Sequence, residues 1–333
     1  MSELRLNLAT REWIIFATER ARRPEEFASE ARPVRTREPY SPTCPFCPGN
    51  PTAYEAEPTL VVPGDDGWAV RVLPNRYPAL VSHEPPQRSH RGVFHRHSGF
   101  GYHEVIVEHP RHDLSLAEMS VPEVYRVLWA YWKRYQTLQA DSRVGYVVVF
   151  KNHGVTAGTS MEHPHSQLIA TPVVPSEIRA RMATAMAYYD DSGDCVYCRL
   201  LQEELAAGER IVRQSESFVA YIPYAAYSPF HIWIFPRRHA ASFGECTEPE
   251  LADLASVLRN VLYRLRQGLN DPDYNLVLRC VPESAHFCQY YHWYLSVVPR
   301  LTRPAGFELG SGMFINTALP EESARFLRSQ ADP

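Results

Sequence analysis

Apolar positions along this chain follow two rhythms, and the rhythms come in the same order twice. Over 104–108 the apolar run Val105-Ile106-Val107 between two glutamates reads as a strand and runs into His109-Pro110-Arg111-His112. Ser120-Val121-Pro122-Glu123 then has the form of a capping box. Behind it Val121, Val124, Leu128, Trp132, Tyr135 and Leu138 recur at the three-and-four spacing of one helical face. A strand over 146–150, a glycine-bearing loop and His163-Pro164-His165-Ser166-Gln167 complete the unit. The second half repeats it: a strand over 231–235, Pro236-Arg237-Arg238-His239, and a capping box Thr247-Glu248-Pro249-Glu250. A helix follows on Leu251, Leu254, Leu258, Val261, Leu262 and Leu265, with Gly268 placed to stop it. A strand over 274–279 and His292-Trp293-Tyr294-Leu295-Ser296 close the repeat.

Strand, helix, strand, strand in each half predicts an α+β fold of two tandem units, with a mostly antiparallel sheet and helices on one face. The expected division is residues 1–172, a linker over 173–194, and residues 195–333. An Arg-, Pro- and Ser-rich stretch near 30–43 and a polar segment over 82–99 interrupt the first half. His83, His90, His95 and His97 in that segment read as solvated rather than metal-binding.

Composition narrows the class. The 333 residues are 45% apolar and 22% charged, ordinary for a globular chain, with a mean hydropathy of -0.32. A chain of this size buries roughly three quarters of its surface. Its longest apolar runs are strand-length, so no membrane span is expected. Its first residues lack a signal peptide's basic and apolar regions, so a cytoplasmic protein is expected. Net charge is -4, which argues against a nucleic-acid partner. Lys133 and Lys151 are the two lysines among 34 basic residues; the arginine excess suits phosphate binding but also fits a coding bias.

The seven cysteines argue against a disulfide framework, and four of them form two C-x-x-C pairs, Cys44/Cys47 and Cys195/Cys198. Such spacing lets two thiolates converge on one tetrahedral ion; a redox motif is the alternative reading. The repeat supplies two histidines to each pair. His112 and His163 stand 51 residues apart and His239 and His292 stand 53 apart. Two closed sets are therefore expected to bind structural zinc: Cys44, Cys47, His112, His163 and Cys195, Cys198, His239, His292.

The halves differ where chemistry is expected. Two residues beyond its metal histidine the first half carries His165, the second Tyr294. His163, His165 and Gln167 fall on one face of a strand, with Pro164 suggesting a sheet edge. Upstream, Asn152 to Ser160 hold two glycines, three hydroxyls and an amide, a candidate phosphate cradle. Together they suggest group transfer through a phosphohistidine-type intermediate on His165.

His-Pro-His-Ser-Gln after this loop, with an upstream C-x-x-C, resembles the galactose-1-phosphate uridylyltransferase family of the histidine-triad superfamily. Thr10, Trp13, Arg20, Arg23 and Pro24 are similar to the family's opening segment, and Asn75 to its nucleotide strand. The resemblance implies two histidine-triad-like halves, nucleotidylation of His165, and phosphate contacts from Ser160 and Gln167. It further implies substrate contacts at Arg20, Arg23, Asn75, Asn152, Phe307 and Gly310, and a homodimer whose active sites draw on both subunits. Arg76 stands where the family usually has an aspartate, which suggests relaxed nucleotide choice. The stretch from Gly306 to Asn316 is more similar to a branch that includes plant ADP-glucose phosphorylase, where a second zinc site also occurs.

The leading expectation is transfer of UMP from UDP-glucose to galactose 1-phosphate by a ping-pong route. Two others stand beside it: phosphorolysis of ADP-glucose by the same histidine, and a non-catalytic zinc-bound binding module. Arg76 bears on the nucleotide, because a guanidinium cannot accept the ribose hydrogen bonds a carboxylate would.

Overall fold

The computed structural model describes residues 2–17, 23–28, 37–50, 54–65, 67–285 and 287–332. Its centre is one ten-stranded antiparallel sheet. The first half contributes β3 (Leu60–Gly64), β4 (Gly67–Pro74), β7 (Tyr102–Val107), β8 (Tyr146–His153) and β9 (His165–Thr171). The second contributes β10 (Ile211–Gln214), β11 (Phe218–Tyr221), β12 (Ile232–Pro236), β13 (Tyr274–Arg279) and β14 (Tyr294–Pro299). Their order is β10-β11-β12-β14-β13-β8-β9-β7-β4-β3, so the repeat is real and the halves meet at β8 and β13. Each half has two strands more than its rhythm predicted. A small second sheet joins β1 (Glu3–Leu6) and β2 (Trp13–Phe16) to β15 (Phe314–Asn316).

The ladders show how the halves correspond. Phe150 pairs with Gln167 in the first half, and Val277 pairs with Ser296 in the second. Across the seam Phe150 pairs with Val277, its own counterpart, so the pseudo-two-fold axis passes between these residues. By the same registers His165 corresponds to Tyr294, Asn152 to Arg279 and His103 to His231.

One face of the sheet carries α2 (Val121–Gln139) and α5 (Glu248–Gly268), packed on each other. Both start with the expected capping box: Ser120 and Glu123 exchange hydrogen bonds at the first, Thr247 and Glu250 at the second. The predicted apolar face of α5 is buried throughout. In α2 the buried stripe includes Tyr131, while Trp132 is only partly buried and its indole N–H donates to the Gly244 carbonyl at 3.3 Å. Helix α5 ends at Gly268 as expected, though this glycine is not in the left-handed region and so is no Schellman-type cap. A Cβ there would come within 2.8 Å of Phe326 in α7 (Pro320–Ser329), so the glycine permits close packing.

Helices are not confined to that face. The segment expected as a linker forms α3 (Ser176–Ser192), and α4 (Val196–Ala207) follows with Cys195 at its N-cap. Tyr197 and Leu201 of α4 pack on Trp233, Phe235 and Tyr294, covering the opposite face of the second half. On that face of the first half the loop over 37–50 seats Cys44, Phe46 and Cys47 against Leu73, Val105 and Val107. The outward side chains of β8 and β9 are left partly open, and the cavity described below lies there. Two further expectations give way. The polar segment over 82–99 forms an exposed hairpin, β5 (Arg88–Arg91) with β6 (Phe94–His97). Strand β9 is interior, between β7 and β8, and Pro164 precedes it rather than marking an edge. Among the described residues no helix is long and apolar enough to cross a membrane.

Candidate active site and metal centre

Cys44, Cys47, His112 and His163 come together from three segments and are all buried. His163 Nδ1 lies 3.6 Å from each sulfur and 3.3 Å from His112 Nδ1; His112 Nδ1 lies 3.6 Å from Cys47 Sγ. Zinc bonds of about 2.3 Å to sulfur and about 2.05 Å to nitrogen put the corners of a tetrahedron at such separations. His163 Nε2 is 2.8 Å from the His109 carbonyl, so it carries the proton and leaves the Nδ1 lone pair inward, as a ligand needs. Burial pushes the Cys44 thiol up to about 11 and the His163 imidazole down to about 3. A cation between the sulfurs is what would draw out the thiolates. The donor set fits zinc.

The second cluster is less complete. Cys195, Cys198 and His239 converge, with Cys198 Sγ 3.2 Å from His239 Nδ1. His292 is buried beside them, its ring 5.3 Å from that of His239, much as His163 sits 5.2 Å from His112. Neither nitrogen of His292 joins the set: Nδ1 lies 3.0 Å from the Trp293 carbonyl, and Nε2 is buried with no hydrogen-bond partner among the described residues. The expected four-ligand site is a three-ligand site in this conformation.

His165 opens β9 and is 7% exposed. Its Nδ1 lies 2.8 Å from the His163 carbonyl, which can only accept, so the proton sits on Nδ1 and the Nε2 lone pair is free. Burial lowers its pKa, keeping the ring neutral and nucleophilic. It faces a cavity of about 570 Å³ that Asn152, Gly154, Thr156 and Thr159 also line. Gly154 and Gly158 have φ of 86° and 92°, which glycine adopts readily, and they shape the turn. From the second half, Asp273, Arg300 and Arg303 reach the same cavity.

Behind His165, on the helical side of the sheet, lies a network the sequence reading missed. Lys151 is 2% exposed; its Nζ donates to Glu108 Oε2 at 2.7 Å and to the His165 carbonyl at 3.0 Å. Glu108 Oε1 accepts from the Tyr131 hydroxyl at 3.0 Å and from Ser166. The available signal was that one of two lysines in an arginine-rich chain sits there. His103 was missed too: Nδ1 accepts from the Ala79 N–H at 3.0 Å, so Nε2–H is left to donate to Gln167 Oε1 at 2.8 Å. Asn75 lies beside this group, its Nδ2 3.0 Å from His103 Nε2, a contact between two donors rather than a hydrogen bond.

Other expected contacts lie apart from the cavity. Ser160 is exposed next to Thr159; Arg23 is exposed at the start of α1 (Pro24–Ala28). Phe307 and Gly310 are on α6 (Gly306–Ser311), outside the residues lining the cavity. Arg76 is exposed over the Tyr77 ring. Arg20 falls outside the described residues. In the second half Tyr294, the counterpart of His165, is sealed in, its hydroxyl accepting from Arg181 at 2.9 Å.

The profile of the family described as galactose-1-phosphate uridyl transferase matches in both its parts, the N-terminal domain over residues 1–175 and the C-terminal domain over 181–293. An ADP-glucose phosphorylase from Arabidopsis thaliana is 35% identical over 98% of this chain and 92% of its own. A galactose-1-phosphate uridylyltransferase from Thermotoga maritima is 28% identical over 98% of both. The crystal structure of an ADP-glucose phosphorylase from Arabidopsis thaliana with bound ADP-glucose superposes with a TM-score of 0.83, at 32% identity and 99% of each chain. The chain belongs to the galactose-1-phosphate uridyl transferase family.

Proposed function

We propose that this protein is a nucleotidyltransferase that works through a covalent intermediate on His165, with ADP-glucose as donor and inorganic phosphate as acceptor. The observation that carries the covalent step is the His165 ring, its proton held on Nδ1 by the His163 carbonyl and its Nε2 free at the cavity. Nε2 attacks the α-phosphorus; the bond from that phosphorus to the bridging oxygen breaks, and glucose 1-phosphate leaves. An oxygen of inorganic phosphate then attacks the same phosphorus, ADP forms, and the electron pair returns to Nε2. Nδ1 keeps its proton on the His163 carbonyl throughout. The phosphate loop and the arginines at the cavity offset charge as it shifts between oxygens. Cys44, Cys47, His112 and His163 would hold a zinc ion as a structural tie beside the nucleophile, in a closed set that leaves no position for substrate.

The choice of phosphorolysis over uridylyl transfer rests on two supports. The relative that is 35% identical is an ADP-glucose phosphorylase. Arg300 and Arg303 line the His165 cavity, where two guanidinium groups suit a small phosphate acceptor. Transfer of UMP from UDP-glucose to galactose 1-phosphate is the second reading, favoured by the Thermotoga maritima relative. The wild type and His165→Ala are incubated with ADP-glucose or UDP-glucose labelled at the α-phosphate. Label is expected on the wild type from ADP-glucose and none on the variant, with release as ADP on adding phosphate. Label from UDP-glucose, released only by galactose 1-phosphate, decides for the second reading; label retained by His165→Ala overturns the nucleophile.

A further inference from the structure

Three contacts tie the phosphate loop of the first half to the second. Asp273 Oδ2 accepts from both the N–H and the hydroxyl of Thr156, each at 2.6 Å. Asn275, on β13, pairs across the seam with Asn152 on β8. Its Nδ2 donates to Asn152 Oδ1 at 2.8 Å and to the Ala157 carbonyl at 2.9 Å, while its Oδ1 accepts from Arg300 Nε at 2.5 Å.

The chemistry of these groups leaves one arrangement. A guanidinium donates and never accepts, so Asn275 must turn its oxygen to Arg300. Its amino group is then committed to Asn152 and to the Ala157 carbonyl, itself an acceptor. Asn152 must answer with its oxygen, which leaves its Nδ2 as the end free to face the cavity. We infer that Asn275, held by Arg300, sets which end of the Asn152 amide meets the substrate's phosphate, so that the half without a nucleophile orients a ligand of the half that has one. Asn275 is a positioning residue: it acts through Asn152 on the phosphate oxygens, which can only accept. The inference rests on the proposed nucleotidyl transfer for its catalytic readout but not for its binding readout.

The test compares Asn275→Asp with Asn275→Leu. Asp keeps the shape but has no donor, so it accepts from Arg300 and from Asn152, turning the Asn152 oxygen toward phosphate. Rapid-quench measurement of nucleotide transfer to His165 should show about a hundredfold loss of rate at saturating donor, the scale of one misplaced oxyanion donor. Leu leaves Asn152 free to rotate, and the loss should stay near tenfold, as for one missing neutral hydrogen bond. A merely structural role reverses the order, since the apolar variant strands Asn152 and the Ala157 carbonyl and loses most; that result overturns the inference. So does a loss in Asn275→Asp that appears in KM and is relieved by salt, which marks simple charge repulsion. Calorimetric affinity for ADP should follow the same order of variants, and it tests the relay even in a protein that forms no covalent intermediate.

Discussion

At the scale of the residue, the arrangement around His165 depends on a buried ion pair. Lys151 and Glu108 are 2% and 1% exposed, and the lysine also holds the His165 carbonyl. Removing one partner strands the other charge in the interior, so Lys151→Ala should cost about 3–5 kcal/mol in denaturant unfolding. Replacing both, as Lys151→Met with Glu108→Leu, should restore most of that stability. The His165 carbonyl would still lack its donor, so transfer to His165 should remain slow while the melting temperature recovers. If rate and stability recover together, Lys151 serves packing alone. Residues whose chemistry is local were legible in the sequence: His165 stood out because the repeat has tyrosine at that place. Glu108, Tyr131 and Lys151 were not, because they meet only when β7, α2 and β8 are packed. A strand's glutamate reads as surface until its burial is known.

Elements were legible where rhythm and end signals agreed. The capping boxes at Ser120 and Thr247 marked the two long helices, since an N-cap and its partner three residues on are a local signature. Gly268 marked the end of α5, but the room it leaves for α7 was not legible, because a glycine reads the same at a helix end and at a close helix contact. The extra strands β3, β4, β10 and β11 escaped because the repeat was anchored on histidines that come later in each half. The two metal clusters differ as elements too. The first has its four donors at tetrahedral separations, and the second has three with His292 turned to Trp293. Zinc should therefore leave the second site first. A colorimetric chelator should reveal two phases of release, and Cys44→Ser with Cys47→Ser should abolish the slow one. A slow phase that survives that double substitution would assign the tighter ion to the second half.

For the whole molecule, the seam between β8 and β13 makes two sequence repeats into one sheet. Residues 1–175 alone would end with β8 as an unpaired edge and would lack the Asp273 and Asn275 contacts to the end of β8 and the loop after it. Expressed by itself, that fragment should self-associate through the open strand, seen as higher-order species in light scattering, and should take no label from a nucleotide sugar. A monomeric fragment that is labelled at the full rate would show the second half to be dispensable. The duplication was legible because spacing survives divergence; the seam was not, because which strand meets which is settled by the whole sheet. Phe150 facing its own counterpart Val277 has a consequence for descent. A single ancestral half could have built the same ten strands by pairing with an identical copy of itself, every contact made twice. Identical copies must both keep the histidine or both lose it. Once joined in one chain they were released from that bond, and one could surrender its histidine to become the other's scaffold.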